Sequence, residues 1–164
     1  MSGINDYQLR QLIIHPTLEH LELNSASAVT LLLATARAES NLEYLTQLGD
    51  GPARGLWQME PATHDDIWEN YLAYRDPLAD KVRGLAIGSK DVPDPEQMVG
   101  NLFYACAMAR IHYMRVPEPL PHPTDHVGMA KYWKSHYNTG LGKGTVDKFL
   151  LANAWMPKVI HDIA

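Results

Sequence analysis

Three short groups of residues carry side chains that could do chemistry, and a carboxyl heads them. Val29, Leu32, Leu33 and Ala36 recur at helical spacing, and Glu39 lies two turns beyond Leu32 on the same stripe. The stripe predicts an apolar residue at this position, and the chain supplies an acid. Burial disfavours an ionised carboxyl, and so does the C-terminal end of a helix, so both effects hold the proton on Glu39. A general acid for a glycoside must still be protonated at about pH 6–7, roughly 3 kcal/mol from the behaviour of an ordinary carboxyl. The plainer alternative is a helix-end glutamate that swings to solvent or pairs with Arg37 or Arg54.

The second group, Gly55-Leu56-Trp57-Gln58, follows a loop marked as a turn by Gly49-Asp50-Gly51-Pro52. Gly55 lets the backbone turn tightly, Trp57 offers a flat apolar face to a pyranose ring, and Gln58 can both donate to and accept from sugar substituents. The alternative is a turn whose Leu56 and Trp57 plug the core. The third group is Tyr137-Asn138-Thr139-Gly140, with Gly142 and Gly144 beyond it. Gly140 there reads as a helix C-cap, which leaves Tyr137 and Asn138 at the rim of any cleft that the helix ends face. His122 and His126 are four apart, but Pro123 breaks a regular helical face between them and no third ligand is at matching spacing, so no metal is expected. Ser25, Ser27 and Ser40 lie in no nucleophile elbow.

The elements that must position these groups are helices. Leu9, Leu12 and Ile13 predict a helix over 5–14 that His15-Pro16 stops, with Thr17 capping a short second helix to Leu23. Asn24 or Ser25 caps the helix over 26–39 that ends in Glu39. Pro61 opens a helix through about Tyr74, and Asp76-Pro77 opens one that fades at Gly84. Asp94-Pro95 opens the longest, over 95–115, whose small residues Ala105, Cys106, Ala107 and Ala109 suit a central core helix. Pro117, Pro119, Pro121 and Pro123 enforce an extended loop, Thr124 caps a helix to Tyr137, and a last helix or two cover Val146 to Ile163 with a break near Pro157. The expected fold is mainly α, one domain over residues 1–164, with at most a short β-hairpin near 42–58.

Composition narrows the function classes. Of 164 residues, 46% are hydrophobic and 20% charged, and the net charge of -5 argues against a nucleic-acid binder. The single cysteine, Cys106, sits in an apolar run and reads as a core residue, with no intrachain disulfide possible. The N-terminus lacks a secretory pattern and no stretch is long and apolar enough to span a bilayer. The chain is therefore expected to be made in the cytoplasm, to act as a monomer without membrane insertion and to need no cofactor.

Taken together, the blocks resemble the catalytic domain of the soluble lytic transglycosylases, within the lysozyme superfamily and its goose-type-lysozyme-like fold. The family closes an apolar helix with an ES pair, here Glu39-Ser40, then has a G-L-M-Q segment leading to P-x-T, here Gly55-Leu56-Trp57-Gln58 and Pro61-Ala62-Thr63. An acidic-Pro start and an N-(I/L)-x-x-(G/A) helix follow, here Asp94-Pro95 and Asn101-Leu102-Phe103-Tyr104-Ala105, and the run from His136 to Gly142 resembles the last motif. The blocks span roughly residues 26 to 145. Trp57 stands where the family has Met, and Glu60 precedes the proline.

The resemblance implies that Glu39 protonates the β-1,4 bond between N-acetylmuramic acid and N-acetylglucosamine in peptidoglycan. It also implies that Ser40, Gln58 and Tyr137, with Asn138 behind them, lie near the substrate or the catalytic carboxylate, joined as a substrate contact by Trp57 on the residue reading above. A transglycosylase needs no second carboxylate; a muramidase would draw one from Asp50, Glu60 or Asp65. Delivery to the wall would then fall to a phage or a specialised export apparatus. A non-catalytic saccharide-binding or virion structural protein, or a chitin-cleaving relative, are the alternatives.

Overall fold

The protein, seen in a computed structural model that describes residues 3–138 and 142–156, is mainly helical. The helices are α1 (Asp6–Leu9), α2 (His15–His20), α3 (Ala26–Ser40), α4 (Pro61–Asn70), α5 (Asp76–Arg83), α6 (Gln97–Gly100), α7 (Leu102–Met114), α8 (His126–His136) and α9 (Val146–Ala152). The expected hairpin is absent among the described residues: the loop after α3 holds only isolated bridges, Thr46 to Arg54 and Arg54 to Met59. The expected C-cap at Gly140 and the helix beyond Pro157 lie outside the described residues.

Several caps stand where the side chains predict them. Ser25 accepts from the Ala28 N–H at 3.1 Å to start α3, Pro61 occupies the first turn of α4 and Pro77 that of α5. Elsewhere the chain departs from expectation for local reasons. Pro16 does not stop the first helix. A proline lacks the N–H of an α-helical bond and its ring strikes the carbonyl four residues back, but Arg10–Ile14 is a π-helical turn in which the His15 N–H reaches Arg10 O. That wider turn absorbs the proline, so α2 runs on, and Thr17 is buried inside it rather than capping it. The helix expected over 95–115 is broken. Asn101 adopts an extended ψ of 91°, its Oδ1 caps the Tyr104 N–H at 3.1 Å, and its Nδ2 donates to Leu85 O at 2.8 Å. The longest described helix is α3, of 15 residues, against 13 in α7. Asp125, not Thr124, caps α8, because the Thr124 hydroxyl is bonded to His122.

The central role expected for α7 holds. Every side chain from Tyr104 to Ile111 is buried, and the helix meets the π turn, α2, α3, α4, α5 and α6. Cys106 lies in this interior, its thiol pushed up to about 12 by burial, as expected of a core cysteine. One apolar cluster runs from Leu9 to Leu150. Polar ties cross it. The Asp65 carboxylate can only accept, so it takes the His64 Nδ1–H at 2.9 Å. The neutral ring's Nε2 accepts from the Tyr104 hydroxyl at 2.5 Å, which in turn accepts from the Trp68 Nε1–H at 3.0 Å. The Thr35 hydroxyl donates to Leu31 O and therefore accepts from Tyr113, joining α3 to α7.

The loop between α3 and α4 is held by Gly55, whose φ is +79° and whose missing Cβ would lie 2.2 Å from the Met98 carbonyl oxygen. Gly55→Ala is expected to cost more than about 2 kcal/mol through left-handed strain and displacement of α6, read as a lower urea midpoint.

Candidate active site

A cleft of about 620 Å³ opens between the end of α3, the loop leading into α4, α7 and the end of α8. Glu39 of α3 lines it, with Gln58 and Glu60 from the loop, His112 from α7, and Tyr137 and Asn138 beyond α8. Lys143, Gln47 and Thr63 complete its polar surface.

Glu39 is fixed here by hydrogen bonds rather than by ions. Its Oε1 accepts from Trp133 Nε1–H at 3.0 Å, and the Asn138 side chain also bonds to the carboxyl. Burial pushes the carboxyl up to about 7, and it outweighs the two hydrogen bonds, which favour the ionised form. The two arginines that could have claimed it are engaged elsewhere. Arg37 pairs with Asp6, and Arg54 with Glu96 at 2.9 Å. Glu39 thus keeps its proton to about neutral pH, with neither arginine paired to it.

The Gly55–Gln58 turn serves a different end from the one its Trp suggested. Trp57 is 1% exposed, and its Nε1–H donates to Leu32 O of α3 at 2.9 Å. Its own carbonyl accepts from the Tyr137 hydroxyl at 2.5 Å. Trp57 therefore pins the turn between α3 and α8 and offers no face to a sugar. Within the turn, Gln58 adopts a φ of +47°, with Trp57 buried and Gln58 on the cleft wall. The Gln58 Nε2 donates back to Gly55 O at 2.9 Å, leaving its amide oxygen for the cleft.

Ser40 is likewise 1% exposed and does not line the cleft. Its hydroxyl donates to Ala36 O at 3.0 Å and accepts from the Leu42 N–H at 3.3 Å. It thereby braces Asn41 and Leu42, both left-handed, where α3 ends just past Glu39. Tyr137 spends its hydroxyl on Trp57, so what it contributes to the cleft is its ring, packed 5.2 Å from Tyr113 and 4.8 Å from His112.

Of the three further carboxylates, only Glu60 shares the cleft with Glu39. Asp50 sits in the Gly49–Gly51 turn with a φ of +63°, and Asp65 is bonded to His64; neither lines the cavity. His122 bonds to Thr124, and His126 stacks on Trp155 with centroids 4.1 Å apart.

Sequence reasoning missed Trp133, His112 and Lys143. His112 carried the signal that exposed Glu39, a polar residue on the apolar face of a helix. Trp133 lies one helical turn before Tyr137, and so on its face, but nothing in its own type distinguishes a hydrogen-bond donor from a core ring. Comparison of the chain with family models, curated proteins and solved structures found no match.

Because the Trp133 bond favours the ionised carboxylate, Trp133→Phe is expected to raise the Glu39 pKa above about 7. A carboxyl-resolved NMR titration of both proteins would measure the difference, and an unchanged or lower midpoint would contradict the assignment.

Proposed function

We propose that this protein cleaves the glycan strands of peptidoglycan at the β-1,4 bond between N-acetylmuramic acid and N-acetylglucosamine, as a lytic transglycosylase. The observation that carries the reading is a carboxyl protonated to about pH 7 on the wall of an open cleft of about 620 Å³. A lysozyme-like fold is part of the same proposal. It is supported by the convergence on one cleft of Glu39, Gln58, Tyr137 and Asn138, residues from blocks far apart in the sequence.

Glu39 gives its proton to the glycosidic oxygen as the bond from that oxygen to the muramyl C1 breaks, freeing the N-acetylglucosamine hydroxyl. The carboxylate left behind takes the proton from the muramyl 6-hydroxyl, whose oxygen bonds to C1 and closes an anhydro ring. The acid is restored and no water is consumed. A pKa near neutrality suits both halves, since the group must give and then take a proton. The Gln58 amide oxygen, the Asn138 amide and the Tyr137 ring are the groups available to hold the sugars. Glu60 on the same cleft supports a second reading, a muramidase in which Glu60 activates water, for which a separation of about 6.5–9.5 Å is required.

Mass spectrometry of products from purified sacculi separates these. Anhydromuropeptides are expected; products heavier by one water would mean the muramidase, and sacculus binding without release would mean a saccharide-binding protein. Loss of the Glu39 proton predicts that kcat/KM falls as pH rises through about 7.

Glu39→Gln is expected to cut glycan release by at least ~100-fold, the usual range for a general acid. Its effect on stability carries a sign. The folded-state pKa, raised from 4.5 to about 7, means that the protonated carboxyl's contribution is whole below pH 4.5 and is lost as pH rises through about 7. The glutamine keeps an acceptor for Trp133 and never ionises. The variant should therefore melt close to wild type at pH 4.5 and above it at pH 8, by up to roughly 3 kcal/mol from the linkage of that gap.

A further inference from the structure

His112 is a polar residue of the cleft that the reaction above does not use. Its ring is held on two sides. Its edge meets Tyr137 with planes at 65°, and its Nδ1 lies 2.8 Å from Arg115 Nη2. A guanidinium can only donate, so Nδ1 accepts and the imidazole carries its single proton on Nε2. Arg115 is itself anchored, its Nη1 lying 2.5 Å from Asp66 Oδ2 on α4. Asp66 in turn accepts from Asn70 Nδ2 at 2.6 Å. A chain of bonds thus runs from α4 through the end of α7 to the cleft wall. At its end, the Nε2–H has no partner among the described residues.

We propose that His112 is a substrate-binding residue, a neutral imidazole whose Nε2–H donates to an oxygen of the sugar bound beside Glu39, and that Arg115, anchored by Asp66, is the positioning residue that fixes this tautomer. The inference rests on the glycosidase reading and names a contact that it lacked. The groups facing the ring are Arg115 from α7, Asp66 from α4, and the Tyr137 ring that follows α8. Burial, with the Arg115 charge adding to it and Asp66 opposing, pushes the imidazole down to about 4. It is therefore neutral between about pH 4 and about pH 7, where Glu39 still holds its proton. Neutrality matters because cleavage passes through an oxocarbenium-like state, and an imidazolium on the same wall would repel that positive charge. A neutral N–H grips an oxygen without that repulsion. Arg115, which would repel it too, is held against Asp66.

The test compares the full-length wild type with His112→Leu, His112→Gln and Arg115→Met by ring nitrogen-15 NMR, by titration with an N-acetylglucosamine tetramer and by release of soluble muropeptides. The wild-type spectrum is expected to show the Nε2–H tautomer from pH 5 to 7, with Nε2 shifting when the tetramer binds. Removing the donor in His112→Leu should cost about tenfold in kcat/KM, the worth of one hydrogen bond, and His112→Gln should restore most of it. In Arg115→Met, His112 should titrate closer to its ordinary range, and muropeptide release should gain an acid limb at that pH. If His112→Leu cleaves as fast as wild type, or the wild-type ring is Nδ1–H, the His112 proposal is overturned while the role of Glu39 stands. If the wild type releases no muropeptides, the glycosidase reading fails, and an Nε2 signal indifferent to the tetramer then overturns this one as well.

Discussion

A carboxyl at the end of an apolar helix can be kept only if something offsets its loss of water. Ionised and unpaired it would cost several kcal/mol, and an arginine partner would solve that by making it a permanent anion. This chain takes neither course. Glu39 is left mostly to its burial, which keeps the proton on, while Trp133 and Asn138 give back enough hydrogen bonding to hold the ionised form within reach. The resulting balance near neutrality depends on everything that holds the Trp133 ring in place. Gly144 packs so close that an added Cβ would lie 2.3 Å from Trp133 Cη2, and Phe149 packs on the ring at 5.0 Å.

The same economy governs the cations. Arg37 and Arg54 flank the site in sequence, but Asp6 and Glu96 draw them away. Arg115 approaches the cleft only behind His112, with Asp66 beside it. Glu39 is thus left without an arginine partner, and among the described residues the cation that shares its cleft is Lys143. These surface pairs add little to stability. Their effect here is to keep guanidinium groups away from one carboxyl.

Three of the six described non-glycine residues with left-handed backbone adjoin the cleft. Asn41, Leu42 and Gln58 all have positive φ, the first two just after Glu39 and the third within the turn that carries the cleft's amide. Left-handed backbone at non-glycine residues persists only when the surroundings over-determine it. Ser40 braces the first pair, and Trp57, bonded to α3 and α8 at once, braces the third. Residues with the types of substrate ligands are thus spent on geometry, and Gln58, Asn138 and His112 face the cleft.

Much of the helical order is a local matter and was legible in the chain. Ser25, Pro61 and the Asp76-Pro77 pair mark helix starts by chemistry that acts within one turn, and with the apolar periodicity they made the mainly α character readable. The anomaly of Glu39 was readable too, since a helical period needs no partner to reveal a polar intruder. Where a residue had two local options the outcome turned on the particular group that met it, whether within a turn or two of chain or far along the sequence. Asn101 breaks the expected long helix because Leu85 O is there to receive its amide, and Pro16 is tolerated because a π turn precedes it. Trp57 and Ser40 had the right types for a sugar site, and their place in the core was decided by carbonyls of α3 and a hydroxyl after α8. The helical period alone placed an acid on the apolar stripe of α3. That its proton would stay on to about neutral pH was decided only by tertiary structure, because burial, the Trp133 donor and the diversion of both arginines are all set by residues distant along the chain.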